Sequence, residues 1–209
     1  MSLFISFEGI DGCGKTTQVE LLRAHLESRN ARVFTTREPG GTALAEAIRN
    51  YLLSSREPLA PRSELLLFGA ARAQHVEETI RPALARGEIV LCDRFVDSTT
   101  AYQGAGLGLD ATFIAQLNTF ATDGLLPQVT FLLDIDPLTG LRRRAEQRGE
   151  SQDRIEERGI QFQRRVRDGF NEAARLNLER IVLLDAAKPA KIVHNHIVRV
   201  LEDRGLFHF

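Results

Sequence analysis

The segment FEGIDGCGKTT, residues 7–17, decides the fold of this 209-residue chain. Gly9 to Thr16 fit the pattern G-x-x-x-x-G-K-[ST], in which a glycine-rich loop surrounds phosphate oxygens with backbone N–H groups. An apolar run precedes the loop at residues 3–7, and an amphipathic helical pattern follows it at residues 16–28. Because phosphate binding of this kind needs a strand before the loop and a helix after it, the sequence favours a phosphate site over a chance match.

The loop residues have separate expected roles. Lys15 is expected to neutralise the β- and γ-phosphates of a nucleotide, and the Thr16 hydroxyl to ligate the Mg²⁺ ion that bridges them. No Asn-Lys-x-Asp segment, which recognises guanine in GTPases, occurs in the chain, so a GTPase switch is disfavoured. The predicted nucleotide-binding residues are Gly9, Ile10, Asp11, Gly12, Cys13, Gly14, Lys15, Thr16 and Thr17.

Short apolar runs alternate with longer amphipathic patterns along the rest of the chain, which is typical of a parallel sheet buried between helices. The predicted strands are residues 3–7, 32–36, 89–92, 129–134 and 180–184. The predicted helices lie near residues 16–28, 43–53, 63–85, 111–121, 138–147, 156–178 and 190–203. No linker or internal repeat divides the chain. We therefore predict one α/β domain of the P-loop NTPase type over residues 1–209, with three αβα layers and a five-stranded parallel sheet.

Composition excludes several classes of protein. The 27 basic and 28 acidic side chains nearly cancel, so no overall positive field would hold a nucleic acid. No apolar run approaches the ~18 residues that a membrane-spanning helix needs. Cys13 and Cys92 are too few for a disulfide framework, and no signal-peptide pattern begins the sequence. We expect a cytoplasmic protein that binds neither nucleic acid nor membrane.

Two further segments place charged residues at the carboxyl edge of the predicted sheet, where open α/β sheets bind ligands. Asp93 and Arg94 follow the third strand; Asp93 would hold Mg²⁺ through water, and Arg94 would bind a phosphate through two N–H groups. A strand-end ion pair is the alternative, and the nearby phosphate loop favours binding. Arg37, which follows the second strand, suits a second ligand that carries a monophosphate.

Phe68 and Arg72 are four residues apart in the predicted helix at residues 63–85 and share one of its faces. An aromatic ring and a guanidinium on one face could contact the same planar ligand. The helix pattern alone favours the other interpretation, a core phenylalanine with the arginine stem lying along it.

The segments FEGIDGCGKTT, TREPGGT, LLLFGAARAQH, DRFVDSTTAYQG and RGESQDRIEERG together resemble bacterial thymidylate kinases, which transfer the γ-phosphoryl group of ATP to dTMP. The resemblance covers essentially the whole chain, with the segments in family order and at family spacing. It implies ATP and dTMP as substrates, Mg²⁺ as cofactor and a homodimer. A kinase of the same fold for another nucleotide, such as dUMP or dGMP, and a regulatory nucleotide-binding switch are the alternatives.

The resemblance also implies where dTMP binds. Phe68 would stack on thymine and Arg72 would hydrogen-bond the edge of the base, which overturns the packing interpretation of both. Thr99 and Gln103 would line the base, and Tyr102 would close off the 2′ side of the sugar. The implied substrate-binding residues are Asp11, Arg37, Phe68, Arg72, Arg94, Ser98, Thr99, Tyr102 and Gln103.

Catalysis in the family relies on charge around the transferred phosphoryl group. By the same resemblance, Arg37 and Arg94 would hold the dTMP phosphate, and Asp11 would lie near the sugar 3′-hydroxyl and the acceptor phosphate. Some relatives carry a basic residue at the position of Gly12; this chain is similar to the other type, in which arginines of a lid, residues 142–155, supply the charge. The implied catalytic residues are Lys15, Arg94, Asp11, Arg148, Arg143 and Arg154.

Overall fold

A computed structural model of the chain describes residues 2–55, 57–148 and 154–207, without the side chains of residues 147, 148 and 156. The strands in these residues are β1 (Leu3–Glu8), β2 (Val33–Arg37), β3 (Ile89–Asp93), β4 (Val129–Asp134) and β5 (Ile181–Asp185). The helices are α1 (Lys15–Glu27), α2 (Ala43–Ser54), α3 (Pro61–His75), α4 (Arg81–Ala85), α5 (Val96–Thr99), α6 (Ala111–Thr122), α7 (Pro137–Arg148), α8 (Gly159–Leu176) and α9 (Ala190–Asp203). The π-helical turn Val76–Ile80 joins α3 to α4, a second π-helical stretch, Thr100–Gly106, extends α5, and the 3₁₀ turn Glu156–Arg158 precedes α8.

The five strands form one parallel sheet in the order β2-β3-β1-β4-β5. All six residues of β1 are buried, so both faces of the central strand are covered. The chain leaves β1 at the middle of the carboxyl edge, between Asp93 on β3 and Leu132 on β4. This is the switch point of the strand order, where α/β sheets bind their ligands. The predicted fold and all five strands are confirmed, although four of the strands end one residue later than predicted.

Alternating residues of β1 divide between two hydrophobic clusters. Leu3, Ile5 and Phe7 belong to the larger cluster, while Phe4 belongs to a smaller one in which its ring packs edge-on against Phe95, with ring centroids 4.9 Å apart. Such alternation follows from the two-residue period of a strand. The central strand is therefore anchored on both sides, and the loop that follows it starts from a fixed point.

The sequence patterns predict no helix at residues 96–106, yet α5 and its π-helical extension occupy this segment. The sequence VDSTTAYQGAG is polar and contains two glycines, so it carries little apolar periodicity. Small residues let it pack closely on α8: a Cβ at Gly169 would come 2.5 Å from the Cβ of Ala105. Tertiary packing thus forms a helix that local pattern does not indicate.

Two predicted helices differ from their expected bounds by more than one residue. The helix predicted at residues 63–85 starts earlier, at Pro61, and is interrupted by the π-helical turn. The helix predicted at 156–178 is α8, which is shorter. None of the helices in the described residues is apolar over a length that could cross a bilayer.

Candidate active site

The loop between β1 and α1 approaches neighbouring backbone closely. Gly9, Gly12 and Gly14 have positive φ angles of 134°, 75° and 97°, a region that side-chain-bearing residues avoid. A Cβ at Gly12 would collide with the carbonyl oxygen of Gly140 in α7, and a Cβ at Gly9 would come 2.5 Å from the carbonyl oxygen of Leu133. There is consequently no room at Gly12 for the basic side chain that some relatives carry there.

Lys15 begins α1 and folds its side chain over this loop. Its Nζ donates hydrogen bonds to the carbonyl oxygens of Gly9 at 3.1 Å and Ile10 at 3.0 Å, and lies 3.6 Å from the Cys13 Sγ. Only 7% of the residue is exposed. A positive charge that is nearly buried at a helix N-terminus is well suited to a phosphate chain.

Thr16 and Asp93 meet at the carboxyl edge of the sheet. The Thr16 hydroxyl donates to the Asp93 Oδ2 at 2.8 Å, although 77 residues separate the two in sequence. A hydroxyl and a carboxylate are the oxygen donors that Mg²⁺ prefers, and this ion commonly takes few protein ligands and completes its shell with phosphates and water. The hydroxyl and carboxylate oxygens of this pair fit that pattern.

A cavity of about 700 Å³ extends from the phosphate loop along the carboxyl edge. The predicted site residues Gly9, Ile10 and Cys13 are buried within the loop. The structure brings the following predicted residues together in the cavity wall: Asp11, Gly12, Gly14, Lys15, Thr16, Thr17, Arg37, Phe68, Arg72, Asp93, Arg94, Ser98, Thr99, Tyr102 and Gln103.

Arg94 links the wall of the cavity to the phosphate loop. Its Nη2 donates to the Asp11 Oδ1 at 2.6 Å and its Nη1 to the Gly9 carbonyl oxygen at 2.9 Å. Its guanidinium lies 5.1 Å from the centroid of the Tyr102 ring, whose hydroxyl is 3.4 Å from the Asp11 Oδ2. Burial alone would raise the pKa of Asp11, but the charges of Arg94 and Lys15 outweigh it and hold that pKa below its usual value.

Arg72 is held in a buried network at the other end of the cavity. Its Nε donates to the Glu38 Oε2 at 2.8 Å, and its Nη1 donates to the Thr99 Oγ1 at 2.9 Å and the Asn118 Oδ1 at 2.7 Å. The second Glu38 oxygen lies 3.1 Å from the His75 Nδ1. Glu38, His75 and Asn118 were not predicted; the acid between Arg37 and Pro39 was the one available signal, since a buried arginine needs an anion.

Phe68 is half-buried, packs against the larger hydrophobic cluster and lines the cavity. Arg72 lies one helical turn further along α3, and its guanidinium sits 5.5 Å from the Phe95 ring centroid. Gln103 on the π-helical stretch is 1% exposed and donates to the Glu64 Oε1 at 2.9 Å. The Arg72 Nη2 also donates to the Phe95 carbonyl oxygen at 3.0 Å, so one Nη2 N–H is left for a ligand. A half-open ring beside this fixed guanidinium is suitable for stacking a planar ring and for one hydrogen bond to its edge.

Arg37 ends β2 and is 54% exposed at the mouth of the cavity. Its Nη2 donates to both carboxylate oxygens of Glu46 in α2, at 3.0 and 3.1 Å. A phosphate at this position must compete with Glu46 for the guanidinium.

Comparison with known proteins identifies the family. A sequence model described as thymidylate kinase matches residues 7–197. The chain belongs to the thymidylate kinase family. It is 52% identical over 184 residues to the thymidylate kinase of Gloeobacter violaceus, covering 88% of this chain and 87% of that protein. It is 45% identical to the thymidylate kinase of Chlorobium chlorochromatii, covering 99% and 97% of the two chains.

A solved structure agrees with this assignment. The crystal structure of thymidylate kinase from Ehrlichia chaffeensis matches with a TM-score of 0.77 and 41% identity, over 96% of this chain and 98% of that one. The family and the fold predicted from the motifs are therefore confirmed.

In this thymidylate kinase family member, the arginines of the predicted lid lie in different places. Arg143 donates to the carbonyl oxygen of Ala186 at 2.8 Å, beyond β5. Arg144 is 8% exposed, lines the cavity and contributes to the low pKa of Asp11. The side chain of Arg148 lies outside the described residues. Arg144 falls within the predicted lid, residues 142–155, but the sequence does not distinguish it from the other arginines there.

Arg154 is joined to α3 by an ion pair. Its Nη2 donates to the Glu64 Oε2 at 2.7 Å, and the Arg158 Nη1 donates to the Glu64 Oε1 at 3.1 Å. Glu64 is fully buried and also accepts the bond from Gln103. Arg154 therefore contacts Glu64, next to a predicted base-binding residue, and its catalytic role remains a prediction.

We expect the Glu64→Gln variant to be less stable than wild type by about 2 kcal/mol at pH 7, because Arg154 and Arg158 would lose a buried anion while keeping part of their hydration. Burial raises the pKa of Glu64, but Arg158, Gln103 and Arg154 together lower it below its ordinary value of 4.5. The stabilisation is thus complete above pH 4.5 and is lost as the pH falls through the folded-state pKa. Urea unfolding at several pH values measures the difference.

The matched control for this prediction is Glu172→Gln, which breaks an exposed pair with Arg175 and should leave stability nearly unchanged. A stability gap between wild type and Glu64→Gln that stayed constant from pH 7 to pH 3 would contradict the expected linkage.

Proposed function

We propose that this protein transfers the γ-phosphoryl group of ATP to dTMP, giving ADP and dTDP on the route to dTTP, and that it does so as a single kinase domain. The observation that carries the proposal is one cavity with two different ends. A phosphate loop with Lys15 forms one end, and the half-open Phe68 ring beside the fixed Arg72 guanidinium forms the other. Relatives 45–52% identical that are named thymidylate kinase support the same activity.

The donor end would hold the ATP phosphates. Backbone N–H groups of the loop and the N-terminus of α1 suit the phosphate oxygens, and the Lys15 ammonium would balance their charge. Thr16 and Asp93 would hold Mg²⁺, as their 2.8 Å contact and their oxygen chemistry support. When bound, Mg²⁺ supplies positive charge to the β- and γ-phosphate oxygens.

The acceptor end would hold dTMP. Phe68 would stack on thymine, Arg72 would donate to the edge of the base, and Thr99 and Gln103 would line it. Arg72 is 2% exposed and bound to three side chains, so it is positioned before any ligand arrives. Such preorganisation lowers the entropic cost of binding a base.

The two phosphate groups would meet near Arg94 and Asp11. Arg94 and Arg37 would hold the acceptor phosphate, and Asp11 would orient Arg94 while lying near the sugar 3′-hydroxyl. Ser98 and Tyr102 would complete this side of the pocket. A phosphate monoester is already a competent nucleophile, so alignment and charge neutralisation suffice and no general base is needed.

Lid arginines would supply the remaining charge to the transferred phosphoryl group. Arg143, Arg148 and Arg154 are the predicted residues, and the buried position of Arg144 in the cavity wall supports adding it to them. Because Gly12 carries no basic side chain, positive charge for the transition state beyond that of Lys15 must come from outside the loop.

We also propose a homodimer in the cytoplasm. Large apolar side chains are exposed on three helices that pack side by side, and a second copy would cover them. These side chains are Leu44, Tyr51, Leu66, Phe113 and Phe120. The two free thiols, Cys13 and Cys92, agree with a reducing compartment.

The test is ADP production with ATP, Mg²⁺ and each nucleoside monophosphate in turn. We expect the highest kcat/KM with dTMP, a lower value with dUMP and none above background with dGMP. ADP release that does not depend on any acceptor would contradict the kinase assignment, since a nucleotide-binding switch transfers phosphate only to water. Preference for a purine monophosphate would contradict the assignment of Phe68 and Arg72 to thymine.

A further inference from the structure

The N-terminus of α5 is capped from a distant part of the chain. Its N-cap residue, Phe95, makes no side-chain capping hydrogen bond. Instead the Glu8 Oε1 accepts hydrogen bonds from the backbone N–H groups of Phe95 at 2.7 Å and Ser98 at 3.1 Å, and the Glu8 Oε2 accepts one from the Ser98 hydroxyl at 2.6 Å. Glu8 is fully buried, 87 residues before Phe95, and is the last residue of β1.

The residue just before this cap is Arg94, and its backbone is strained. Arg94 has a φ of 73°, in the left-handed region that side-chain-bearing residues rarely adopt. Such conformations persist only where the surroundings hold them. Two hydrogen bonds to the end of β1 hold this conformation. The Arg94 N–H donates to the Phe7 carbonyl oxygen at 2.9 Å, and the Phe95 N–H donates to the Glu8 carboxylate.

The side chain of Arg94 depends on the same contacts. Its Nη1 lies 3.3 Å from the Ser98 Oγ, which in turn donates to Glu8, and the same Nη1 donates to the carbonyl oxygen of Gly9, the residue after Glu8. The Glu8 carboxylate and the Phe7 carbonyl oxygen therefore hold the turn that directs Arg94 toward the phosphate loop.

We propose that Glu8 is a positioning residue for the acceptor phosphate, which holds the strained turn at Arg94 and the start of α5 against the phosphate loop. The inference rests on the proposed function, in which Arg94 and the residues of α5 bind dTMP. Glu8 itself does not line the cavity, so its effect on the substrate would pass through Arg94 and Ser98.

The chemistry of Glu8 explains why this position suits a carboxylate. Alanine would leave the Phe95 and Ser98 N–H groups buried without an acceptor, whereas the amide oxygen of glutamine could still accept from both. Burial and the nearby Asp97 raise the pKa of Glu8 to about 7, against the hydrogen bonds and the charge of Arg94, which lower it. Arg180, which pairs with Asp97, adds a further positive charge nearby.

The experiment compares Glu8→Ala, Glu8→Gln and wild type at pH 8, where the carboxyl is mostly ionised. We expect Glu8→Ala to raise the KM for dTMP at least tenfold and to lower kcat/KM for dTMP about 100-fold. The reason is that a small displacement of Arg94 would weaken both binding and alignment of the acceptor phosphate. The KM for ATP should stay within twofold. Glu8→Gln should recover most of the loss in the KM for dTMP.

The matched control is Gln128→Ala. Gln128 caps another backbone N–H of the same strand, that of Phe4, through its Oε1 at 2.6 Å, but at the opposite edge of the sheet. Loss of this hydrogen bond in Gln128→Ala should lower the stability of the fold without changing the KM for dTMP. A purely structural role for Glu8 predicts the same outcome for Glu8→Ala, and that outcome would overturn the inference. If Glu8→Ala does not fold, a Ser98→Ala variant with an unchanged KM for dTMP overturns it equally.

Hydrogen exchange separates the failure of this inference from the failure of the proposed function. Glu8→Ala should speed amide exchange at Phe95 and Ser98 without any nucleotide. If wild type showed no dTMP-dependent ADP release while this exchange rose as expected, the proposed function alone would fail. Unchanged exchange and unchanged KM in an active Glu8→Ala variant would reject the positioning role.

Discussion

We expect the Lys15→Ala variant to turn over about 10³-fold more slowly than wild type, the largest loss of any single change in the donor site. Its ammonium is the one positive side-chain charge within the phosphate loop, and its low exposure strengthens its interaction with a phosphate. The loss should fall mainly on kcat, because charge on the transferred group spreads as its bond to ADP breaks. The KM for dTMP should change by less than threefold, since Arg72 and Phe68 are untouched.

The chain offers a close control for this change. Lys191 is exposed on α9, so Lys191→Ala removes the same charge without touching the cavity and should keep wild-type kcat. Coupled ADP production at saturating ATP and dTMP measures kcat in both variants, and circular dichroism checks that both are folded. A Lys15→Ala variant within tenfold of wild type would contradict the assignment of the loop to the ATP phosphates.

The two ends of the cavity differ in how much of them the sequence predicts, for a physical reason. The phosphate loop is made by contiguous residues, so its strand, glycines, lysine and helix appear together in one short segment. The carboxylates that position the acceptor residues come from far away: Glu38 is 34 residues from Arg72, and Glu8 is 87 residues from Phe95. No local pattern marks such partners, and their roles emerge only when the sheet brings β1, β2 and β3 side by side.

The helix at residues 96–106 and the lid arginines show two further limits. That helix forms because small residues let it lie against α8, an effect of tertiary packing that overrides a weak pattern. The predicted lid contains several arginines, and the sequence does not tell them apart. Arg143 contacts a backbone carbonyl beyond β5, Arg144 lines the cavity, and Arg154 binds Glu64.

We expect Arg94→Ala to lower kcat/KM for dTMP by about 10²- to 10³-fold, the largest effect on the acceptor side. The variant loses the guanidinium that would bind the acceptor phosphate, and Asp11 loses the partner 2.6 Å away that keeps its pKa low. An unpaired Asp11 carboxylate would then repel both phosphates. The KM for ATP should rise only a few-fold, because the loop and Lys15 remain.

Arg94→Lys distinguishes geometry from charge. Lysine keeps one positive charge but cannot reach Asp11, the Gly9 carbonyl oxygen and a phosphate at once, because it lacks the planar fork. We therefore expect it to recover at most about tenfold of the loss. If Arg94→Lys were as active as wild type, net charge alone would explain the role of Arg94, and the fixed fork would be irrelevant.

The control for both variants lies at the other end of the same strand. Arg86 forms a bidentate ion pair with Glu88, just before β3 and away from the cavity. Its Nε donates to the Glu88 Oε1 at 3.0 Å and its Nη2 to the Glu88 Oε2 at 2.8 Å. Arg86→Ala should leave kcat/KM for dTMP within twofold of wild type, since the pair is exposed and touches no site residue. If Arg86→Ala and Arg94→Ala lost activity to the same extent, the loss would reflect a weakened strand, and the acceptor phosphate would have to bind elsewhere in the cavity.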